Sequence, residues 1–313
     1  MSTLNVEVVV IGGGSAGLSA ALTLARARRR VVVIDGGEPR NAPAKGAQGL
    51  LGQEGVNPFE LLRKGREEVI SYGGQIISGQ VTEAHAERGD FRVRTDAGDD
   101  VTAQTVLLAT GTRDQLPDIP GLADRWGKEV IHCPYCHGWE IQDQRIGVLA
   151  TGPMSALQAL MFSQWSADVQ FFSQGLDYSS TDLAKLEATG VRIDTRTITL
   201  VEVEGDRLAG VRLDDGSAVA LDALVVPTAT RARLDGLDGL GLEISESPAG
   251  TAVTVDAAGH TSVPGVWAAG NLAQPATQVS ESAANGARVA MTLNTELIFK
   301  HASRAAQEAE NHR

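Results

Sequence analysis

The sequence predicts an α/β protein in which one strand–turn–helix–strand unit is interrupted by a second of the same kind. Three stretches carry that expectation. The first, VEVVVIGGGSAGLSAALTLARARRRVVVID (6–35), runs from an apolar strand through a glycine turn into a helix and a second strand. The second, QRIGVLATGPMSALQALMFSQWSADVQFFSQG (144–175), repeats that order. The third, VPGVWAAGN (263–271), is a turn, a short buried strand and small residues, and a helix follows it in QVSESAANGARVAMTLNTELI. The order places residues 1–117 and 240–313 in one discontinuous domain and 118–239 in an inserted one.

Each element has a local reason. The run from Val6 to Ile11 is unbroken in apolar character apart from Glu7, as expected of a parallel strand covered on both faces. Gly12, Gly14 and Gly17 form G-x-G-x-x-G between that strand and the helix. Asp35 closes the next strand about twenty residues later, placed to accept from a ribose hydroxyl. Motif and acid together identify a dinucleotide-binding unit. The fold class is therefore two nested Rossmann-like, three-layer units, the second inserted in the first. Arg26, Arg28, Arg29 and Arg30 end the first helix, where cations suit the dipole. FRVRTDAGDDVTAQTVLL (91–108) reads as a hairpin, and LLATGTRDQLPDIPG (107–121) leaves a buried strand through Thr110-Gly111 into a proline-rich connector. The closing residues SRAAQEAENHR are polar and expected to fray.

Composition narrows the function. A net charge of -12 disfavours nucleic acid as a partner, because phosphates need a basic face. The longest apolar runs are strand-sized and broken by glycine, so no membrane span is expected. The chain runs from its first residues straight into a strand, which points to the cytoplasm. The sequence holds 2 cysteines, Cys133 and Cys136, in HCPYCHGWE (132–140). Only His132 and His137 lie beside them, short of a closed four-ligand zinc site, so no metal is expected. A C-x-x-C pair can instead close a ring in which one thiol attacks and the other resolves. His137 is a candidate base for these thiols, or a histidine that merely bonds backbone. His132 reads as a strand-end residue. Tyr135 and Trp139 either wall an apolar cleft or belong to the core, and Trp126, Trp165 and Trp267 read as packing residues.

The two nested units, the Ala109-Thr110-Gly111 segment, the C-x-x-C heading the inserted unit and the terminal VPGVWAAGN resemble the low-molecular-weight thioredoxin reductases over nearly the whole chain. The resemblance implies FAD in the outer domain, NADPH in the inserted one, and a homodimer. It places Gly12, Gly14 and Gly17 at the FAD pyrophosphate and Asp35 at the adenosine ribose, with Thr110 and Gly111 also on the cofactor. Arg40 and Asn41, which open the glycine-rich loop NAPAKGAQGLLGQEG (41–55), are expected to touch FAD. Gly270-Asn271 stands where the family usually has Gly-Asp; the asparagine oxygen still accepts. A helix starting near Gln278-Val279 would aim its N-terminal N–H groups at the flavin pyrimidine ring.

Two departures redirect the reading. The inserted turn is Ala150-Thr151-Gly152-Pro153-Met154-Ser155, where only the middle glycine survives and Pro153 lacks an N–H. The strand after it, VQFFSQGLDYSS, is followed by no Arg or Lys until Lys185, so NADPH is expected to bind poorly. The string CPYCHGWE also resembles the dithiol oxidases of gliotoxin and holomycin biosynthesis. That branch implies oxidation of a small-molecule dithiol to a disulfide, with electrons passed through FAD to oxygen and hydrogen peroxide formed. By analogy, Cys136 faces the flavin and Cys133 exchanges with substrate. The alternative is a disulfide reductase fed by NADPH or another donor.

Overall fold

The computed structural model describes residues 3–311, which divide into two compact units. The first comprises the residues up to Arg40, Phe59–Arg113, and those from Thr230 onward; the second comprises Asn41–Pro58 and Asp114–Ala229. The chain crosses between them after Arg113 and after Ala229, ahead of the boundaries expected at 117 and 239. The loop 41–58 packs with the inserted unit.

The first unit is built on the strand Leu4–Ile11, which pairs in parallel with Val31–Asp35 on one side and Asp100–Leu108 on the other. Gln75–Ser78 extends the sheet in parallel beyond Val31–Asp35. The strand 100–108 serves two layers. Its last residues pair in parallel with Val266–Ala268, and its first pair antiparallel with Asp90–Thr95, the expected hairpin. Alternation sorts the side chains. Val8, Val10, Val31, Val33 and Leu107 pack under the helices Ser15–Arg26, Pro58–Ser71 and Val279–Asn311. Val9, Ile11, Val32, Ile34 and Leu108 face the other way, onto Val81, Ala84, Phe91 and Val93 of the antiparallel layer. Both sheet faces are covered, which is why the first strand is apolar throughout.

Two helix ends differ from expectation. The first helix stops at Arg26, and Arg28 takes a left-handed φ of 62°. Only Arg26 therefore lies in the last turn; Arg29 instead pairs with Glu7 at 2.8 Å, and the Arg30 N–H donates to the same carboxylate at 2.9 Å. At the other end, the segment expected to fray continues the last helix to Asn311. Among the described residues no helix is long and apolar enough to cross a membrane.

The inserted unit repeats the plan. Ile146–Leu149 lies between Val169–Phe172 and Ala223–Val225, with Arg192–Asp194 and Val130–Ile131 at the edges, all parallel. Ile146, Val148, Phe171 and Val225 face the helix layer, including Ala156, Ala159 and Phe162. Leu149, Phe172 and Leu224 face an antiparallel layer built from Ile198–Glu204, Arg207–Leu213 and Ala218–Ala220. Trp126 packs on this second core. The loop 41–58 is compact, closed by an Ala47↔Val56 bridge, and a Cβ on Gly127 would fall 2.4 Å from the Pro43 Cβ.

Candidate functional site

In the first unit the glycine turn is shaped by contacts that exclude a side chain. A Cβ on Gly12 would lie 2.3 Å from the Ala109 carbonyl oxygen, and one on Gly17 would lie 1.9 Å from the oxygen of Gly12. Gly14, by contrast, faces open space, and no side chain caps the helix that starts at Ser15. Uncapped N–H groups at a helix start form an anion site. Asp35 stands across the turn, since a Cβ on Gly13 would meet its Cγ at 2.2 Å. Its carboxylate accepts from the Gly37 N–H at 2.8 Å and from Arg66 at 2.9 Å. Arg66 was not singled out by sequence; its only signal is its place on a helix that returns over the second strand.

The rest of this cradle comes from distant parts of the chain. Thr110 donates its hydroxyl to the Arg233 carbonyl at 2.6 Å, and the Arg233 N–H donates to Gly111 at 3.0 Å, which locks the Ala-Thr-Gly segment. Gly270, at φ 67°, donates its N–H to the buried Asn285 Oδ1 at 2.8 Å. A Cβ on Gly286 would lie 2.0 Å from the Ala16 oxygen, so the last helix rests directly on the first turn of the first helix. Asn271 uses its amide to donate to the carbonyls of Gln274 (3.2 Å), Pro275 (3.1 Å) and Thr277 (2.8 Å). Arg40 donates to the same Pro275 carbonyl at 3.3 Å. An aspartate at 271 has no N–H to make these bonds, so the family's usual residue does not suit this loop. The last helix starts at Val279, close to expectation, and the Gln278 N–H is taken by the Glu281 carboxylate at 2.8 Å. Asn41 belongs to the other unit, where its carbonyl accepts the Ala44 N–H at 3.0 Å. An uncapped glycine turn with an acid across it fits the pyrophosphate and ribose of FAD; Gly12, Gly14, Gly17 and Asp35 would hold them.

In the inserted unit Cys133 and Cys136 are joined as a disulfide, Cα–Cα 5.2 Å. Cys133 caps the short helix Pro134–His137, and its Sγ accepts the Cys136 N–H at 3.2 Å. The pair follows the edge strand Val130–Ile131. His132 anchors that junction: its carbonyl accepts from the Gln158 side chain, and its Nδ1 lies 3.2 Å from the Thr228 N–H and 3.3 Å from the Val226 oxygen. His137 donates its backbone N–H to the Cys133 oxygen at 3.2 Å, while its buried ring Nδ1 has no partner among the described residues. Burial pushes the imidazole below its ordinary pKa, aided by His132 and opposed by Glu140 and the Cys133 carbonyl. The ring is therefore held toward its neutral form at neutral pH. Trp165 packs on the Gly138 backbone, where a Cβ would fall 2.7 Å from the indole, and Tyr135 meets it edge-on at 6.1 Å. Tyr135 and Trp139 are 67% and 70% exposed, so neither is core; Trp267 is buried.

The second turn spends its own donors. Ser155 Oγ accepts the Thr151 N–H at 3.0 Å and the Gly152 N–H at 3.2 Å, and Pro153 has none to offer. The Gly152 carbonyl accepts from Tyr178 at 2.9 Å. The cations beyond the following strand are paired: Lys185 with Asp182 (3.3 Å), Arg192 with Asp168 (2.5 Å), and Arg196 with Asp194 (2.6 Å) and Asp215 (2.9 Å).

The sequence profile of the pyridine nucleotide-disulphide oxidoreductases matches residues 6–309. Thioredoxin reductase tcpT of Claviceps purpurea is 32% identical, over 95% of this chain and 96% of its own. Thioredoxin reductase sirT of Leptosphaeria maculans is 31% identical, over 93% and 94%. Among solved structures, that of HlmI is 43% identical, covers 98% of this chain and 97% of its own, and superposes with a TM-score of 0.91. These likenesses make the chain a member of the pyridine nucleotide-disulphide oxidoreductase family, an FAD-dependent enzyme of the thioredoxin reductase-like kind.

Proposed function

We propose that the protein oxidises a small-molecule dithiol to its disulfide, with oxygen as final acceptor and without useful binding of NADPH. The observation that carries this reading is the inserted turn, whose N–H groups are occupied by Ser155 while the disulfide beside it keeps an unpartnered imidazole. A pyrophosphate on that turn would have to displace an internal hydrogen bond and still lack the donor removed by Pro153. A 2′-phosphate would find Lys185, Arg192 and Arg196 already paired with carboxylates.

The disulfide chemistry needs only this chain's residues. A substrate thiolate attacks Cys133 Sγ, breaking the Cys133–Cys136 bond and releasing Cys136 as thiolate. His137 takes the proton of the second substrate thiol, whose sulfur then attacks the first and expels Cys133. The substrate leaves as a disulfide, two electrons stay on the cysteine sulfurs and one proton on His137, the other proton having passed to solvent when the attacking thiolate formed. Bound FAD supplies the two-electron acceptor that returns the cysteines to the disulfide, and oxygen taking that pair with two protons gives hydrogen peroxide. The protein is proposed to work as a cytoplasmic homodimer.

The relatives named thioredoxin reductase support the second reading, an NADPH-fed reductase. Anaerobic flavin spectra of the holoprotein separate the two. Dithiothreitol should bleach the flavin and air restore it with peroxide formed, while NADPH and NADH act slowly. Rapid bleaching by micromolar NADPH would overturn the oxidase reading. Replacing His137 with Ala should slow bleaching by dithiothreitol most at low pH, where thiolate is scarce; an unchanged rate across about pH 6 to 9 places the base elsewhere.

A further inference from the structure

The turn that spends two of its donors on Ser155 also offers apolar surface. Met154 and Leu157 are 63% and 48% exposed, at the start of the helix Ser155–Phe162. A dinucleotide-binding turn aims N–H groups at phosphate from this position. The disulfide shares the same rim. In the parallel sheet, Ile146–Leu149, which precedes the turn, and Val130–Ile131, which precedes Cys133, are separated only by Ala223–Val225. Two strand spacings put the turn and the disulfide about 10 Å apart at the carboxyl ends of the strands, where α/β sheets bind ligands. Gln158 joins them directly: it lies one helical turn from Met154 on the same side and donates to the carbonyl next to Cys133. Next to the cysteines in the chain are the exposed rings of Tyr135 and Trp139, with Tyr135 braced by Trp165. Cations are absent from the adjoining windows of sequence. Residues 150–158 contain no Asp, Glu, Lys or Arg, and Glu140 is the one such residue within 132–140.

We infer that Met154 and Leu157, with Tyr135 and Trp139, form the platform that selects an uncharged, apolar carrier for the dithiol delivered to Cys133. This rests on the dithiol-oxidase reading and adds the substrate's chemical class and its specificity residues. A scattered exposed apolar side chain needs no explanation, but two within three residues of the cysteines and two on the neighbouring turn, on a rim whose charged groups are the carboxylates Asp114 and Glu140, form a site for apolar contact that disfavours anions. The occupant must reach Cys133 while lying on this face, which a small ring-bearing dithiol does. A phosphorylated or carboxylated thiol would find no cation among residues 132–140 and 150–158.

The test compares an apolar dithiol, 1,2-benzenedimethanethiol, with the small polar dithiothreitol in holoprotein carrying Met154→Glu, Leu157→Glu or both. The replaced side chains are exposed, and the flavin spectrum confirms folding. The double variant should raise the KM for the aromatic dithiol about tenfold with kcat held within about twofold, and leave dithiothreitol oxidation within about twofold. Binding of the aromatic probe's cyclic disulfide, read from Trp139 fluorescence, should weaken by the same factor. That binding arm still reports on the platform if neither dithiol reduces the wild-type flavin, an outcome that refutes the oxidase reading alone. Unchanged aromatic KM and binding overturn the platform. An equal loss for both dithiols does so too, as does a change in oligomeric size with KM preserved, which would mark the face as a contact between copies.

Discussion

The turns at 12–17 and 150–155 leave equivalent strands, each flanked by parallel neighbours and followed by a helix, yet they handle their backbone donors in opposite ways. In the first, Gly12 and Gly17 are required by backbone approach, while neither helix carries a side-chain cap. In the second, Gly152 faces open space and a serine fills the N–H groups from within. The sheet and its cores are intact in both units. Keeping a fold and keeping its ligand are thus separate demands: buried apolar faces maintain the first, and a few unspent polar groups maintain the second.

The largest test of this contrast exchanges the glycines. Gly17→Ala should cost about 3 kcal/mol and leave the protein colourless, because the new methyl meets the Gly12 carbonyl. Gly152→Ala should cost less than about 0.5 kcal/mol and keep the flavin. Thermal melting and flavin absorbance per chain read both; equal losses would erase the distinction between the two turns. Asn271→Asp comes next. It sets a carboxylate against three carbonyls, so it should weaken FAD retention roughly tenfold, at a cost of about 1–3 kcal/mol, although aspartate is the family's usual residue. Flavin release followed by fluorescence checks it, and unchanged retention would show that the loop refolds around the acid.

A smaller, pH-dependent effect belongs to the first unit. His260 stacks on Trp267 at 3.9 Å and places its two nitrogens 2.8 Å from Asp256 and 2.6 Å from Glu296. Partial burial opposes the charge, but the two carboxylates outweigh it and raise the histidine's pKa. A raised pKa adds stability that is complete below the unfolded value near 6.5 and disappears as pH rises through the folded value. His260→Gln should therefore lower the Tm at about pH 6 and converge on wild type in mild alkali. The ring is partly open to water, so the difference should stay at about 0.5–1 kcal/mol. A pH-independent difference in Tm would assign the residue to packing alone. The smallest effect is Ser155→Ala, which frees two N–H groups while Pro153 and the paired cations remain. NADPH affinity, followed by nicotinamide fluorescence, should improve less than about threefold; a hundredfold gain would mean that the serine alone closes the turn.

Much of this was legible from residue order. Gly12, Gly17, Asp35 and the cysteine pair announce themselves because their chemistry depends on neighbours a few positions away along the chain. The resemblance carried by Ala109-Thr110-Gly111 and VPGVWAAGN named further cofactor residues, among which Asn41 falls in the other unit and the Gln278 N–H is spent on Glu281. Other features left weak marks or none. Gly286 was a quiet signal, since a glycine inside a helix is unfavourable unless another backbone comes close. Arg66 on Asp35, Asn285 on Gly270 and Gln158 on His132 join residues 31, 15 and 26 positions apart, and no periodicity encodes such pairs. The overestimated basic end of the first helix has the same origin: Glu7, far away in sequence, draws Arg29 and Arg30 off the helix terminus.

By itself, the sequence determined the alternating faces that bury both sheets, the turns where only glycine fits, and a C-x-x-C with a histidine beside it. Those are properties of periodicity and covalent geometry, present in the chain before it folds. Tertiary structure decided which polar groups remain available once it has folded. It used Ser155 to take two N–H groups of the second turn, turned the Asn271 amide onto its own loop, and left His137 Nδ1 buried without a partner among the described residues. A hydrogen-bonding group's availability depends on everything packed around it, and that is settled only in three dimensions.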